Sequence, residues 1–211
     1  MISEYDLPSR EYGTLRKNVG NLRGQFLNFQ KRLDGSYSVH ELTQCRAFIT
    51  FCHAEVEIYL ETVASKIVTA AERHWHRHGR VTNAVAAMLA YRSQKQLSLP
   101  DNPTEQGRKS KFETLVGNAI SAQRSAIKGN HGIMPKNISE LYLPIGMTPN
   151  QFDEALLIQL KNLGKRRGDH VHQNSQVSLP KVRDPFDDEF QDIEFLVDEI
   201  EAFDLLASGL K

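Results

Sequence analysis

The feature that most constrains this chain is a stretch from Ser38 to Gly79 in which apolar side chains recur at steps of three and four, with no proline or glycine between. Leu42, Cys45, Ile49, Cys52, Val56, Leu60, Val63 and Ile67 fall on one stripe, as an amphipathic helix requires. Ser38 and Glu41 form a capping box, in which hydroxyl and carboxylate each take an otherwise unpaired backbone donor. Nothing stops the pattern before Gly79. At 1.5 Å per residue the predicted helix is ~57 Å long, and any fold must accommodate that rod.

The same period runs through most of the remaining sequence. Leu15, Val19, Leu22, Phe26, Phe29 and Leu33 predict a first helix that stops at Asp34 and Gly35. A shorter helix is expected from Val81 to about Tyr91, followed by an exposed loop over residues 98–111, which hold two prolines, a glycine and few apolar side chains. Phe112, Leu115, Val116, Ala119, Ile120 and Ile127 predict another helix ended by Gly129, and Ile138, Leu141 and Leu143 a brief one. Thr148, Pro149 and Gln151 combine a cap, a first-turn proline and a box partner, so the helix carrying Phe152, Leu156, Leu160 and Leu163 is expected to open there. After an extended piece at 177–182, Asp184 and Pro185 start a last helix with Phe186, Ile193, Val197, Ile200 and Phe203 inward. With no strand pattern and no internal repeat, the expected fold class is all-α. A helical bundle fills residues 1–183, and an acidic C-terminal helix, 184–211, packs on the same domain.

A net charge of zero conceals an asymmetry. Asp184 to Lys211 contains ten acidic residues and one basic residue, leaving −9 there and +9 on residues 1–183. A basic body points toward phosphate-bearing partners, because cations gain affinity by releasing counterions from a nucleic acid. The competing reading is a charge-balanced pair of helical faces. The longest apolar run, Ala84 to Ala90, is far short of the ~20 residues that span a bilayer, so no membrane partner is expected. The acidic, polar start of the chain does not resemble a secretory signal. Cys45 and Cys52, about 10 Å apart on one helix, cannot bridge, and they read as core residues of a cytoplasmic protein.

The cluster richest in chemistry is Lys165, Arg166, Arg167, Gly168, Asp169, His170, Val171 and His172. Arg presents a fixed fork to phosphate, and an imidazole can move a proton near neutral pH. Together they supply what RNA cleavage without metal needs: a proton carrier, and a cation for the charge that builds on the phosphorane. The alternative is a helix end where basic side chains complement the dipole and Gly168 terminates the helix.

Arg167, followed after four residues by His172, resembles the arginine-to-histidine signature of HEPN domains; Arg166, with five intervening residues, fits as well. The stretch from Arg46 to Ile67 is similar to the long helix of that family, and residues 130–174 resemble the run into the motif in its RiboL-PSP type. The resemblance implies a bundle of four or five helices that forms a homodimer, with both motifs facing one cleft where active members cut RNA without metal or cofactor. Many members are toxins or phage-defence effectors, so an antitoxin protein is an implied partner. Carried over, Arg167 holds the phosphate and stabilises the transition state, and His172 is the general acid or base, with Arg166 and His170 as alternates. A polar residue usually follows the motif arginine; here Gly168 does, and Asp169 comes one place later. A HEPN module that binds RNA or a partner without turnover is the competing class.

Helical geometry bears on the pairing. Arg166 and His170 share a helix face, whereas Arg167 and His172 differ by about 140°. Either the helix ends near Gly168 or a second chain completes the site. Asp169, three residues before His172, is placed to orient that ring or to pair with Arg166 instead. Lys165, Arg73, Arg77 and Arg80 are candidate RNA contacts. His74 and His78 sit one turn apart, a metal-binding spacing, but no third ligand completes a site, and no metal is expected. His53, beside the apolar stripe, reads as a packing residue.

Overall fold

Ser38 and Glu41 do what their spacing predicts. The Ser38 hydroxyl accepts the Glu41 amide at 3.2 Å, and the Glu41 carboxylate accepts the Ser38 amide at 2.7 Å. The helix they open runs unbroken from Val39 to His78 and ends at Gly79, whose φ of 64° is the left-handed conformation that favours glycine. This comes from a computed structural model. It describes residues 8–92, 110–172 and 183–210, the side chains of 110, 111 and 170–172 excepted.

In chain order the helices are α1 (Arg10–Phe26), α2 (Val39–His78), α3 (Asn83–Arg92), α4 (Ser110–Lys128), α5 (Pro135–Tyr142), α6 (Glu154–His172) and α7 (Gln191–Ser208), with no strand among the described residues. The fold is all-helical. α2 touches each of the other six helices. Its buried surface is wider than the predicted stripe, adding Phe48, Tyr59, Ala64 and Val68, because neighbours cover it on several sides. Cys45 and Cys52 are buried and unbridged in this core, and burial pushes the Cys45 thiol up to about 12. No helix of the described residues is long and apolar enough to cross a membrane.

Three boundaries differ from the sequence reading. α1 ends at Phe26, and Leu33, the last of the expected stripe, is 97% exposed. The chain turns back at Leu27, so the Phe29 ring packs edge-on against Tyr37 and Phe186 rather than continuing a helix. The Thr148–Gln151 capping box forms, but it closes only a 3₁₀ turn, Pro149–Gln151. Phe152 leaves helical geometry (φ −91°, ψ 120°) and places its ring 6.2 Å from Phe203, and Asp153 begins α6 by accepting the Ala155 amide at 2.7 Å. Gly168 does not end α6, which continues to His172. The loop expected over 98–111 lies outside the described residues up to 109, as does the piece at 177–182.

The acidic C-terminal segment packs on the bundle. Asp184 caps a π-turn, Pro185–Phe190, through the amides of Phe186 and Asp187, and α7 follows with Ile193, Val197 and Ile200 buried. Its carboxylates meet cations and donors of the body. Asp187 pairs with Lys31, and Asp192 takes Arg166 at 2.5 Å and Arg183 at 2.6 Å. Buried Asp204 accepts the Ser9 amide, the Ser9 hydroxyl and the Tyr59 hydroxyl within 2.6–2.7 Å, joining α1, α2 and α7 at one carboxylate.

Ile49, fully buried in α2, is expected to cost about 2–5 kcal/mol when cut to alanine, read by urea unfolding. A loss under 1 kcal/mol would contradict the packing described. The Arg32 guanidinium, with the Ser38 amide, holds the Glu41 carboxyl down at about 2. A depressed carboxyl stabilises the fold above its unfolded value and loses that contribution as pH falls through the folded one. The stability gap between wild type and Glu41→Gln should therefore close as pH drops from about 4.5 to about 2, in melting curves taken across that window.

Candidate functional site at the end of α6

Two consecutive arginines on α6 point to opposite fates because neighbouring positions on a helix differ by about 100°. Arg166 turns inward. Its side chain is only 14% exposed, with Nη1 2.5 Å from Asp192 and Nε 3.4 Å from Glu189. Glu189 is 2% exposed, and burial raises its carboxyl despite Arg166 and Arg183 nearby. Arg166 therefore ties α6 to the C-terminal segment. Arg167 faces out and is exposed, as are Lys165 and Asp169.

The outward arginine has a neighbour that the sequence did not single out for chemistry. His53 of α2 is buried at 5% exposure, with Nδ1 3.7 Å from the Glu57 carboxylate one turn on. Burial pushes the imidazole below its ordinary value, Glu57 pulls it up, and the charge of Arg167 lowers it further. Burial and the charge of Arg167 thus both disfavour the protonated form of this imidazole. The other Glu57 oxygen accepts the Gly132 amide, which pins the loop between α4 and α5 against α2. That loop also approaches α6 closely: a Cβ on Gly164 would sit 2.9 Å from Met134 Sδ, so a larger residue there would displace the Met134 side chain. The His53–Glu57 spacing, two turns beyond Arg46, was the available sequence signal.

Further polar groups line the two helices. Arg46 Nε and Nη2 on α2 and Gln159 Oε1 on α6 are buried without a hydrogen-bond partner among the described residues. The side chains of His170 and His172 lie outside the described residues, although the backbone of α6 is helical through both. Because the helix is continuous through Gly168, Arg167 and His172 of one chain stand about 140° apart around its axis.

Arg73 and Arg77 are exposed near the other end of α2, and Arg80 is exposed just past Gly79. From His53 to Arg73 is roughly 30 Å along the helix, so these cations belong to a different surface from Arg167. The His74 and His78 ring centroids lie 4.8 Å apart with the planes tilted by 51°, and no group of three metal-ligating side chains occurs among the described residues.

No curated protein and no solved structure matches the chain. A family model does: RiboL-PSP-HEPN, over residues 24–207, a span that takes in α2, α6 and nearly all of α7. A match of that extent, on an all-helical bundle built around one long helix, places the chain in the RiboL-PSP-HEPN family.

Proposed function

We propose that the protein is a metal-independent endoribonuclease in which Arg167 and His172 act together across a homodimer. The observation that carries this reading is the division of labour on α6. Arg166 is occupied by Asp192 and Glu189, which leaves Arg167 exposed, with four residues between it and His172, as the arginine able to meet a phosphate. A guanidinium fork suits a phosphodiester and the extra negative charge of its transition state.

The chemistry is a transfer within the substrate. The 2′-oxygen forms a bond to phosphorus and the bond from phosphorus to the 5′-oxygen breaks. One imidazole takes the 2′-proton and a second donates a proton to the leaving oxygen. A continuous α6 keeps Arg167 and His172 of one chain on different faces, so the pair that works together comes from two chains related by a twofold axis. Such a dimer builds two Arg167–His172 pairs, and in each His172 carries one proton and His170, the alternate imidazole, the other, with Asp169 as the group that orients a ring. An enzyme that cuts RNA endangers the cell that makes it, so the reading also carries a protein inhibitor as partner and a cellular role as toxin or phage-defence effector.

Purified protein incubated with mixed RNA in EDTA is expected to cut it, and Arg167→Ala or His172→Ala to slow cleavage by about 100-fold or more. Cleavage that requires added metal, or that survives His172→Ala, overturns the mechanism; RNA binding with no cleavage by the wild type assigns a non-catalytic module instead. Mixing the two inactive variants should restore roughly a quarter of wild-type activity, since random pairing rebuilds one intact site in half the dimers. No recovery, from chains shown by light scattering to exchange, would mean that the two residues do not work across chains. Arg166→Ala is expected to act on the fold. It leaves Glu189 buried without its cation, at about 3 kcal/mol in urea unfolding, and Glu189→Gln in the same chain should recover part of that.

A further inference from the structure

The acidic C-terminal segment neutralises cations on one side of the bundle only. Lys31, Arg166 and Arg183 are paired to it, whereas Arg73, Arg77 and Lys128 make no ion pair among the described residues. Two of these three face a groove of about 930 Å³ between α2 and α4, walled by Thr62, Ser65, Thr69 and Arg73 on one side and Arg124 and Lys128 on the other. A second hollow of about 460 Å³ shares Thr69 and Arg73 and continues past His76 to Arg77. Hydroxyl and cationic groups thus recur at about one helical turn, ~5.4 Å, along a single face of α2. Arg124 is held in place by Glu72 at 2.5 Å and by the Thr69 hydroxyl at 3.3 Å. At its other end the groove reaches Glu61, which accepts Asn130 Nδ2 at 2.8 Å in the same loop that Glu57 pins beside His53. The groove therefore runs toward His53 and the α6 site, roughly 36 Å from Arg77 along α2.

We propose that this groove is a second, extended binding site for the phosphodiester backbone of single-stranded RNA, leading from Arg77 to the loop at Gly132. The groups fit a polyanion: cations supply counterion release, and the Thr62 and Ser65 hydroxyls supply hydrogen bonds to phosphate oxygens. Among the described residues no Phe, Tyr or Trp lines the groove, so it grips chiefly the backbone and tolerates many sequences. The inference rests on RNA as the substrate, as proposed above, but it is tested by binding alone, so that the two can fail separately.

The experiment measures fluorescence anisotropy of a labelled twelve-nucleotide oligouridylate with the full-length His172→Ala chain across a range of KCl. Adding Arg73→Gln and Lys128→Gln should weaken binding at least tenfold near 100 mM salt and lower the slope of log K against log salt by about 1.4, two phosphate contacts at about 0.7 each. Lys17→Gln, an exposed cation on α1, should change affinity less than twofold. Unchanged melting curves show that the loss is not one of folding. Binding that ignores the double substitution, that falls equally with Lys17→Gln, or that is absent altogether overturns the proposal. Groove-dependent binding by a wild-type chain that cuts nothing leaves the groove standing and removes the nuclease reading. Cleavage unaccompanied by groove-dependent binding does the reverse.

Discussion

One helix, buried along nearly its whole length, sets the position of everything else. Burying both Phe48 and Ile49, or both Val63 and Ala64, takes neighbours on more than one side, and α2 meets all six other helices. Each of those contacts removes apolar surface from water, which at roughly 25 cal/mol per Å² is the main term holding the bundle together. Because α2 is continuous, it also works as a ruler. His53 and Glu57 stand near its middle and Arg73 and Arg77 near its C-terminal end, and their separation is fixed by helical rise rather than by loops.

Polar ties then choose one packing among the many that would bury the same surface. Asp204 joins Ser9 and Tyr59, and the Tyr142 hydroxyl donates to the Leu60 carbonyl at 2.8 Å while its ring meets Phe203 edge-on. Each is a buried group that must find its partner or lose the energy of desolvation, so each penalises a slipped register. The Arg166 pairing does the same for the end of α6. It links the place where the family signature lies to the acidic segment, so the C-terminal charge is built into the fold close to the candidate site.

The charge asymmetry of the chain acquires a location from this arrangement. Carboxylates of 184–210 cover the face formed by α1, α2 and α6, and the cations they do not reach gather where α2 meets α4. A protein with no net charge can in this way present a groove with cations on both walls, since attraction for a polyanion depends on the local field more than on the total.

The sequence by itself determined the helices and their strongest ends. The Ser38–Glu41 box, the left-handed Gly79 and the Asp184 cap are local chemistry, complete within a few residues, and so are legible without a fold. The same local rules overreach at Thr148, where a good capping box opens a turn that does not propagate, and they leave both outcomes open at Gly168, a glycine that costs a helix only about 1 kcal/mol and that α6 runs straight through. The arginine and histidine near residue 170 were visible as residues, and the family with them. Only tertiary structure decided which arginine faces inward, that the charge of the other reaches buried His53, and that Arg73 and Lys128 share a groove. Those relations join positions far apart in the chain, and only the packing of distant helices around α2 brings them together.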